Sequence, residues 1–210
     1  MEPIRPVVLE GKHVRLEPLG PHHRPALAAI AARHRETYRL TAVPAEPEGM
    51  VDYVESVLAQ ARAGAALPFA TVDRARETVV GSTRFWNLEF WTWAPGHPMQ
   101  RPPGVPDAVE IGYTWLAPEA QRTALNTEAK LLMLAHAFEK WEVHRVTLKT
   151  DVRNARSRAA IERLGARLDG IVRAAVPAAD GGIRDTALYS LLAREWPEAR
   201  DRLRKRLARA

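Results

Sequence analysis

In one stretch of the chain, a strand pattern leads into a helix pattern through small and polar residues. Residues 109–116 alternate as a strand does, and residues 126–141 have the apolar spacing of a helix. The first N–H groups of a helix are unpaired and lie at its positive dipole end, so the junction between this strand and this helix can hold an anion such as a phosphate. In the alternative interpretation, Asn126 or Thr127 simply caps the helix.

A carboxylate, Glu110, lies between Val109 and Ile111 in the strand that leads to this junction. Alternation along the strand turns its side chain away from the face used by its two apolar neighbours. A carboxylate in such surroundings that faces a cleft suits a proton acceptor near neutral pH. The alternative is a structural carboxylate paired with an arginine.

Regular elements must position these groups, and hydrophobic periodicity predicts their order. We expect strand 14–19, helix 26–38, helix 50–63, strands 69–72, 79–88 and 109–116, helix 126–141, strand 144–151, helix 154–164, and strands 167–176 and 186–192. The first helix has Leu27, Ile30 and His34 on one side. Gly165 is placed to end helix 154–164. This order predicts one α/β domain whose central sheet mixes antiparallel and parallel pairs.

Composition excludes several classes of protein. The chain has 210 residues, enough for one sizeable core, and it has no cysteine. It therefore has no disulfide scaffold, thiol nucleophile or thiolate zinc site, and its seven histidines have no ligand-like spacing, so no metal site is predicted. No apolar run reaches the roughly 18 residues of a membrane span. The N-terminus lacks a signal-peptide pattern, so we expect a cytoplasmic protein without a membrane partner.

The net charge of +6 is typical of a nucleic-acid binder, but the position of the charges matters more than their sum. Residues 199–210 hold six Arg or Lys against Asp201, a net of +5, so the rest of the chain is close to neutral. We predict a basic C-terminal helix or tail over 198–210. A solvated amphipathic helix, with Leu203 and Leu207 packed on the body, is preferred to an RNA- or ribosome-binding tail, so nucleic acid is not an expected partner.

The stretch from 109 to 165 resembles the acyl-coenzyme A (CoA) site of the GNAT superfamily of N-acetyltransferases, in the branch of the ribosomal-protein alanine acetyltransferases. The family pattern Gln/Arg-x-x-Gly-x-Gly/Ala reads Gln121-x-x-Ala124-x-Asn126 here. The first position agrees, and the two small-residue positions have changed. Neighbouring segments also agree, namely 110–113, 127–129, 154–157, 164–166 and 184–190.

The resemblance implies a GNAT domain over 9–197 with a Trp- and Pro-rich insertion at about 86–108. Its central sheet would be mixed, mostly antiparallel and splayed in the middle, with helices on both faces. The implied activity is transfer of an acetyl group from acetyl-CoA, the acyl-donor substrate, to a primary amine of a small molecule or a protein N-terminus. Because the chain has no cysteine, the amine would attack directly in a ternary complex. A GNAT fold that binds acyl-CoA without catalysis is an alternative, motivated by the changed glycine positions.

The resemblance also implies which residues bind the cofactor. The expected contacts come from Trp115, Leu116, Gln121, Arg122, Thr123, Ala124, Leu125, Asn126, Thr127, Asn154 and Ser157. Ala124 replaces glycine without strain if its φ is negative. Asn126 either donates to a phosphate oxygen or caps its helix. Asn154 contacts the pantetheine arm of the cofactor, caps the following helix, or does both.

Two catalytic roles follow from the resemblance. Glu110 lies eleven residues before Gln121, where the histone-modifying branch of the family places its catalytic glutamate. Many relatives carry a tyrosine acid where this chain has Ile161. Ser157 is therefore the first choice of general acid, ahead of Tyr113 and Tyr189.

The segment 85–93 contains three of the six tryptophans and precedes the Pro-rich stretch. Alternation places residues 86, 88 and 90 on one strand face and 85, 89, 91 and 93 on the other. Such aromatics usually pack a core or an interface, and a homodimer contact is one alternative. In a second alternative, these aromatics wall the acceptor site, and their faces suit an apolar or cationic amine. The residues concerned are Trp86, Trp91, Trp93 and Tyr113, with His97.

Overall fold

Eight strands and five helices make up the part of the chain that the computed structural model describes, which is Met1 and residues 4–209. The strands are β1 (Leu9–Glu10), β2 (Val14–Pro18), β3 (Ala66–Asp73), β4 (Thr78–Glu89), β5 (Ala108–Leu116), β6 (Arg145–Asp151), β7 (Arg167–Pro177) and β8 (Ile183–Leu192). The helices are α1 (Arg24–Ala31), α2 (Pro47–Arg62), α3 (Ala124–Ala135), α4 (Ala155–Arg163) and α5 (Trp196–Leu207). Within these residues, no helix combines the length and the apolar character that a membrane crossing requires.

The strands form one sheet in the order β1-β2-β3-β4-β5-β6-β8-β7. All neighbouring pairs are antiparallel except β5 and β6, which are parallel. This parallel pairing covers only three residues of each strand, from Ala108 with Arg145 to Glu110 with Thr147. Beyond Glu110 the two strands part and leave a fork that opens toward their C-terminal ends. The predicted mixed, mostly antiparallel sheet with a splayed centre is therefore confirmed.

Helices cover both faces of the sheet, as predicted. On β4 the side chain of Arg84 donates to Gln60 of α2, whereas that of the preceding residue, Thr83, accepts a hydrogen bond from Lys130 of α3. We call the side of Arg84 and α2 the front face and the side of Thr83 and α3 the back face. Because side chains alternate along a strand, each strand residue can be assigned to one of these faces.

The predicted helix 26–38 is wrong in its second half. Helix α1 ends at Ala31, His34 has a left-handed backbone with φ 51°, and a 3-10 turn follows at Arg35–Tyr38. The left-handed residue ends the helical path, and the Arg35 guanidinium supports this ending by donating to the carbonyl oxygens of Ala31 and Val43. His34 is exposed and does not share the buried side of the helix.

The basic C-terminal segment is a packed helix. Helix α5 begins at Trp196, two residues before the predicted boundary, and buries Trp196, Ala199 and Leu203. The indole of Trp196 donates to Glu139 at 2.9 Å, next to the end of α3. These contacts agree with the preferred interpretation, an amphipathic helix on the body of the protein.

Candidate active site

Glu110 lies at the tip of the fork, because it is the last residue of β5 that pairs with β6. Its side chain is on the front face and is 4% exposed. From the other prong, Lys149 brings its Nζ to 2.8 Å from Glu110 Oε2, an ion pair whose angles are not those of a hydrogen bond. The ion-pair partner of this carboxylate is therefore a lysine from across the fork, where the structural alternative predicted an arginine.

A bulge in β5 accompanies the fork. Arg84 pairs with Gly112 and Ser82 with Trp115, so that two residues of β5, Tyr113 and Thr114, stand opposite one residue of β4. Tyr113 has a left-handed backbone with φ 51°, which is rare for a bulky side chain. A bulge bends its strand, and this one lies where β5 departs from β6.

Two of the predicted acceptor-site aromatics lie beside Glu110. Trp86 is the β4 partner of Glu110, and its ring meets the Tyr113 ring edge-on, with 5.1 Å between centroids. A Cβ added to Gly112 would lie 3.2 Å from both Trp86 Nε1 and Glu110 Oε1, so both atoms approach the space above this glycine. Trp86 and Tyr113 are thus placed to flank a group that reaches Glu110.

Trp91 and Trp93 lie elsewhere, in a cluster around Asp107. The main-chain N–H of Trp91 and the indole of Trp93 both donate to the Asp107 carboxylate, at 2.7 and 2.9 Å. Trp91 stacks on His144, and Trp93 stacks on His97. Asp107 and His144 directly precede β5 and β6, so this cluster is at the opposite end of the strand pair from the fork. The structure does not bring these two tryptophans to Glu110.

The predicted alternation through this aromatic segment is wrong after Trp86. Trp86 pairs with Glu110 whereas Glu89 pairs with Ala108, so β4 has one residue more than β5 between these pairs. The extra residue makes a bulge, in which Asn87 has φ 48°. Glu89 therefore shares the front face with Trp86. There it makes two hydrogen bonds to Arg145, at 2.8 and 2.9 Å.

The N-terminus of α3 lies just beyond the end of β5. The helix begins at Ala124, two residues earlier than predicted, and its cap is Thr123, whose hydroxyl accepts from the N–H of Leu125. The interpretation with Asn126 or Thr127 as the cap is therefore wrong. The N–H groups of Ala124 and Asn126 are among those that a helix leaves without an internal partner, and they remain available to an anion.

Ala124 does not need the conformational freedom of glycine. The residue with a left-handed backbone in this loop is Arg122, with φ 61°, and Ala124 is not among the residues of positive φ. The change from glycine to alanine therefore adds a methyl group without backbone strain.

Gln121 holds the loop through its side chain. Its Nε2 donates to the carbonyl of Leu116 at 2.9 Å, and its Oε1 accepts from Arg156 at 3.0 Å. Arg156 also donates to the carbonyl of Thr37, while the Tyr38 hydroxyl donates to Leu116. Sequence reasoning missed this network because its members come from three distant segments that only folding brings together.

Trp115 and Leu116 line the fork with their main chain, because their side chains are buried, and their contacts with a cofactor stay predictions. The Trp115 ring is buried on the front face against Tyr38, with 5.9 Å between centroids, and burial raises the pKa of Tyr38 to about 12. Leu116 is also buried. The main chain of β5 from Ile111 to Leu116, however, has no pairing with β6 and forms one wall of the fork.

Asn154 lies on the other prong, between β6 and α4. It is the N-cap of α4, and its Oδ1 accepts from the N–H of Ser157 at 3.0 Å. The capping role is confirmed, and the contacts of Asn154 and Ser157 with a cofactor stay predictions. Tyr189, another candidate for the acid, is fully buried behind the sheet, where its hydroxyl donates to Glu162.

A cavity of about 490 Å³ opens near the front of the fork. It lies between residues 35–44, Tyr53 and the turn at Ala179 and Asp180. The Tyr53 hydroxyl accepts a hydrogen bond from Arg84, which connects this wall with the strand face that carries Trp86. A larger surface depression of about 1170 Å³ lies between α4 and α5. None of the predicted site residues lines either of these two spaces.

One group of metal-type side chains is found among the described residues, consisting of Glu17, His22 and His23. Both ring nitrogens of His23 are already engaged, Nδ1 by the N–H of Gly20 and Nε2 by Glu17, each at 2.9 Å. Hydrogen bonding accounts for this arrangement without an ion.

The residues present fit an acyl-CoA. Unpaired main-chain N–H groups at the start of α3 suit a pyrophosphate, and the gap between β5 and β6 leads from there to Glu110.

Comparisons with known proteins place most of the chain in one family. A family model described as an acetyltransferase (GNAT) domain matches residues 13–167. YdaF of Bacillus subtilis (strain 168), a ribosomal N-acetyltransferase by provisional assignment, is 39% identical over 87 residues. That match covers 41% of this chain and 46% of YdaF, so it spans less than half of the relative.

Solved structures match over nearly the whole chain. A provisionally assigned acetyltransferase from T. thermophilus has a TM-score of 0.78 and 33% identity, covering 97% of this chain and 98% of its own. RimJ of Mycobacterium smegmatis, solved in complex with CoA-disulfide, has a TM-score of 0.74 at 23% identity, with coverage of 98% and 93%. The second match shows the shared fold, and the family match extends over most of the sequence. The chain therefore belongs to the GNAT family of acetyltransferases.

Proposed function

We propose that the protein transfers an acetyl group from acetyl-CoA to a primary amine of a small molecule or a protein N-terminus. The observation that carries this proposal is the buried carboxylate of Glu110 at the tip of a fork whose open end adjoins the unpaired N–H groups of α3. One end of the fork suits the phosphates of a donor, and the other suits the deprotonation of an amine.

The donor supplies a thioester, and this chain supplies the groups that hold it. The main-chain N–H groups of Ala124 and Asn126, with the exposed cation of Arg122 beside them, would bind the pyrophosphate. The side chain of Asn126 makes no hydrogen bond to another described residue and is free to donate as well. Asn154 would meet the pantetheine arm while it caps α4.

The acceptor must lose a proton, because an ammonium group is not a nucleophile. Glu110 would accept this proton directly or through a water molecule, with Trp86 and Tyr113 flanking the amine. Ser157 remains the first choice of proton donor to the departing thiolate, although a CoA thiolate can leave without one. With no cysteine in the chain, the amine attacks the thioester directly in a ternary complex.

Isothermal titration with acetyl-CoA tests the donor site, and release of free CoA thiol with a panel of amines tests turnover. We expect saturable acetyl-CoA binding and amine-dependent thiol release. Absence of detectable binding at millimolar acetyl-CoA would refute the proposal. Binding without thiol release for any amine would favour the alternative, a GNAT fold that binds acyl-CoA without catalysis.

A further inference from the structure

Three ionised side chains lie on the front face around the tip of the fork. Glu110 pairs with Thr147 of β6, and Lys149 is two residues further along that strand. Arg84 pairs with Gly112, two residues beyond Glu110 on β5. Paired residues and residues two apart share a face of a sheet, so these three side chains surround one patch.

The charges of this patch do not balance. Lys149 forms its ion pair with Glu110, and about one third of the Lys149 side chain is exposed. Arg84 is 3% exposed and donates only to neutral groups, Gln60 Oε1 at 3.1 Å and the Tyr53 hydroxyl at 3.4 Å. Among the described residues no carboxylate forms a salt bridge with Arg84. The patch therefore holds two cations and one carboxylate, and the buried Arg84 has no acidic partner among the described residues, although buried charges are normally paired.

The patch also contains a hydrogen-bond donor without an acceptor. The indole N–H of Trp86 is buried and has no partner among the described residues. It approaches the same space above Gly112 as Glu110 Oε1. Because buried polar groups in folded proteins are almost always hydrogen-bonded, an oxygen atom in this space, from water or from a ligand, would satisfy this N–H.

An incoming amine adds to this positive charge. The ammonium group of an acceptor can reach Glu110 at Oε1 while Lys149 stays at Oε2, so that it shares the carboxylate with Lys149, and Arg84 still has no acidic partner. An amine without a carboxylate of its own would leave this excess of positive charge uncompensated. An amine that brings a carboxylate would neutralise it, and a carboxylate oxygen could also accept from Trp86.

We propose, building on the function proposed above, that the acceptor is an amine with a carboxylate close to its amino group. Lys149 binds this carboxylate while Glu110 takes the amine. Two sources share this chemistry, free amino acids and peptides whose N-terminal residue is Asp or Glu. Lys149 is thus a specificity-determining residue, and Arg84 contributes its charge from beneath the Tyr113 ring, 3.6 Å from the ring centroid.

The test compares acceptors in matched pairs. One pair is alanine and alaninamide, and the other is a peptide with N-terminal Asp and the same peptide with N-terminal Asn. Rates are expressed per free amine, because the members of a pair differ in amine basicity. In at least one pair, the wild-type protein should use the carboxylate-bearing member with a kcat/KM about 10- to 100-fold higher, mainly through a lower KM. The reason is that a site built for a polar group rejects the analogue without it.

Substitution of the lysine gives the decisive comparison. Lys149→Met should bring the preference close to one, whereas Lys205→Met, which changes an exposed lysine of α5, should retain it. A preference in the peptide pair alone identifies peptide N-termini as the source, and a preference in the amino-acid pair alone identifies free amino acids. Equal or better use of the neutral members, or a full preference in Lys149→Met, would overturn the inference.

Binding measurements separate this inference from the proposed function. Titration of the same amines into CoA-saturated protein repeats the comparison without turnover, and no tighter binding of the carboxylate-bearing members would overturn the inference. Loss of acetyl-CoA binding itself would refute the proposed function. A protein that binds acetyl-CoA and acetylates neutral amines equally well would overturn only the acceptor assignment.

Discussion

The ammonium group of Lys149 meets the carboxylate of Glu110 at 2.8 Å, at the point where β5 and β6 part. The contact joins the two prongs of the fork on the face where Trp86 and Tyr113 lie. The proposed proton acceptor is thus held in place at Oε2 by a cation from the opposite prong. Its other oxygen, Oε1, approaches the space above Gly112 and is the atom that an acceptor amine would reach.

Glu110→Gln tests the role of the carboxylate in proton transfer. General-base catalysis contributes about 10²–10⁴-fold, so kcat should fall within this range while the acetyl-CoA dissociation constant changes little. Steady-state kinetics and titration measure the two effects, with Glu46→Gln at an exposed position as the control. An unchanged pH–rate profile in Glu110→Gln would remove this residue from the role.

Gln121→Leu tests the loop that leads into α3. The substitution removes the hydrogen bond to the Leu116 carbonyl and those from Arg156 and Thr37. Such bonds stabilise the folded loop, so a loop without them has to be ordered when acetyl-CoA binds. At about 0.5–1.5 kcal/mol for each bond, acetyl-CoA binding should weaken about tenfold while kcat stays nearly unchanged. Gln100→Leu, on an exposed loop at the other end of the strand pair, is the control. Equal acetyl-CoA affinity in both variants would show that the network does not shape the donor site.

Glu128→Ala tests how the hairpin formed by β1 and β2 is attached to α3. The buried Glu128 carboxylate accepts from the N–H groups of Lys12, His13 and Val14, at 2.9, 2.6 and 2.8 Å. Since a buried unsatisfied group costs about 1–3 kcal/mol, the free energy of unfolding should fall by about 3–5 kcal/mol, measured with urea. Glu48→Ala at an exposed position should change it by less than about 0.5 kcal/mol.

Lys130 makes stability depend on pH. Burial lowers the pKa of this amine to about 7, and it donates to the hydroxyls of Thr83 and Thr114. Above pH 7 the unfolded chain holds a proton on this lysine that the folded chain has lost, so the free energy of unfolding should rise with pH. The slope between pH 7 and 9 is at most about 1.4 kcal/mol per pH unit.

Lys130→Met should remove this contribution, and Lys205→Met should keep it. Urea unfolding at several pH values gives the comparison. The same slope in both variants would show that Lys130 is charged inside the folded protein.

The sequence alone predicts the order of the elements from β2 onward, the mixed sheet and the family. These follow from local patterns, because alternation in 109–116 and helical spacing before Gly165 depend on residues close together in the chain. The GNAT motif segments are local in the same way. Asn154 as an N-cap was also predictable, since a cap contacts residues within one turn.

The partners of the site residues depend on the folded chain. Lys149 meets Glu110 because two strands separated by α3 pair in parallel for three residues and then diverge. Arg156 ties the Gln121 loop to Thr37, far away in the sequence, and a bulge at Asn87 sets the faces of 86–89. Such contacts depend on register and side-chain reach across the folded chain, and the spacing of residues along the sequence does not encode them.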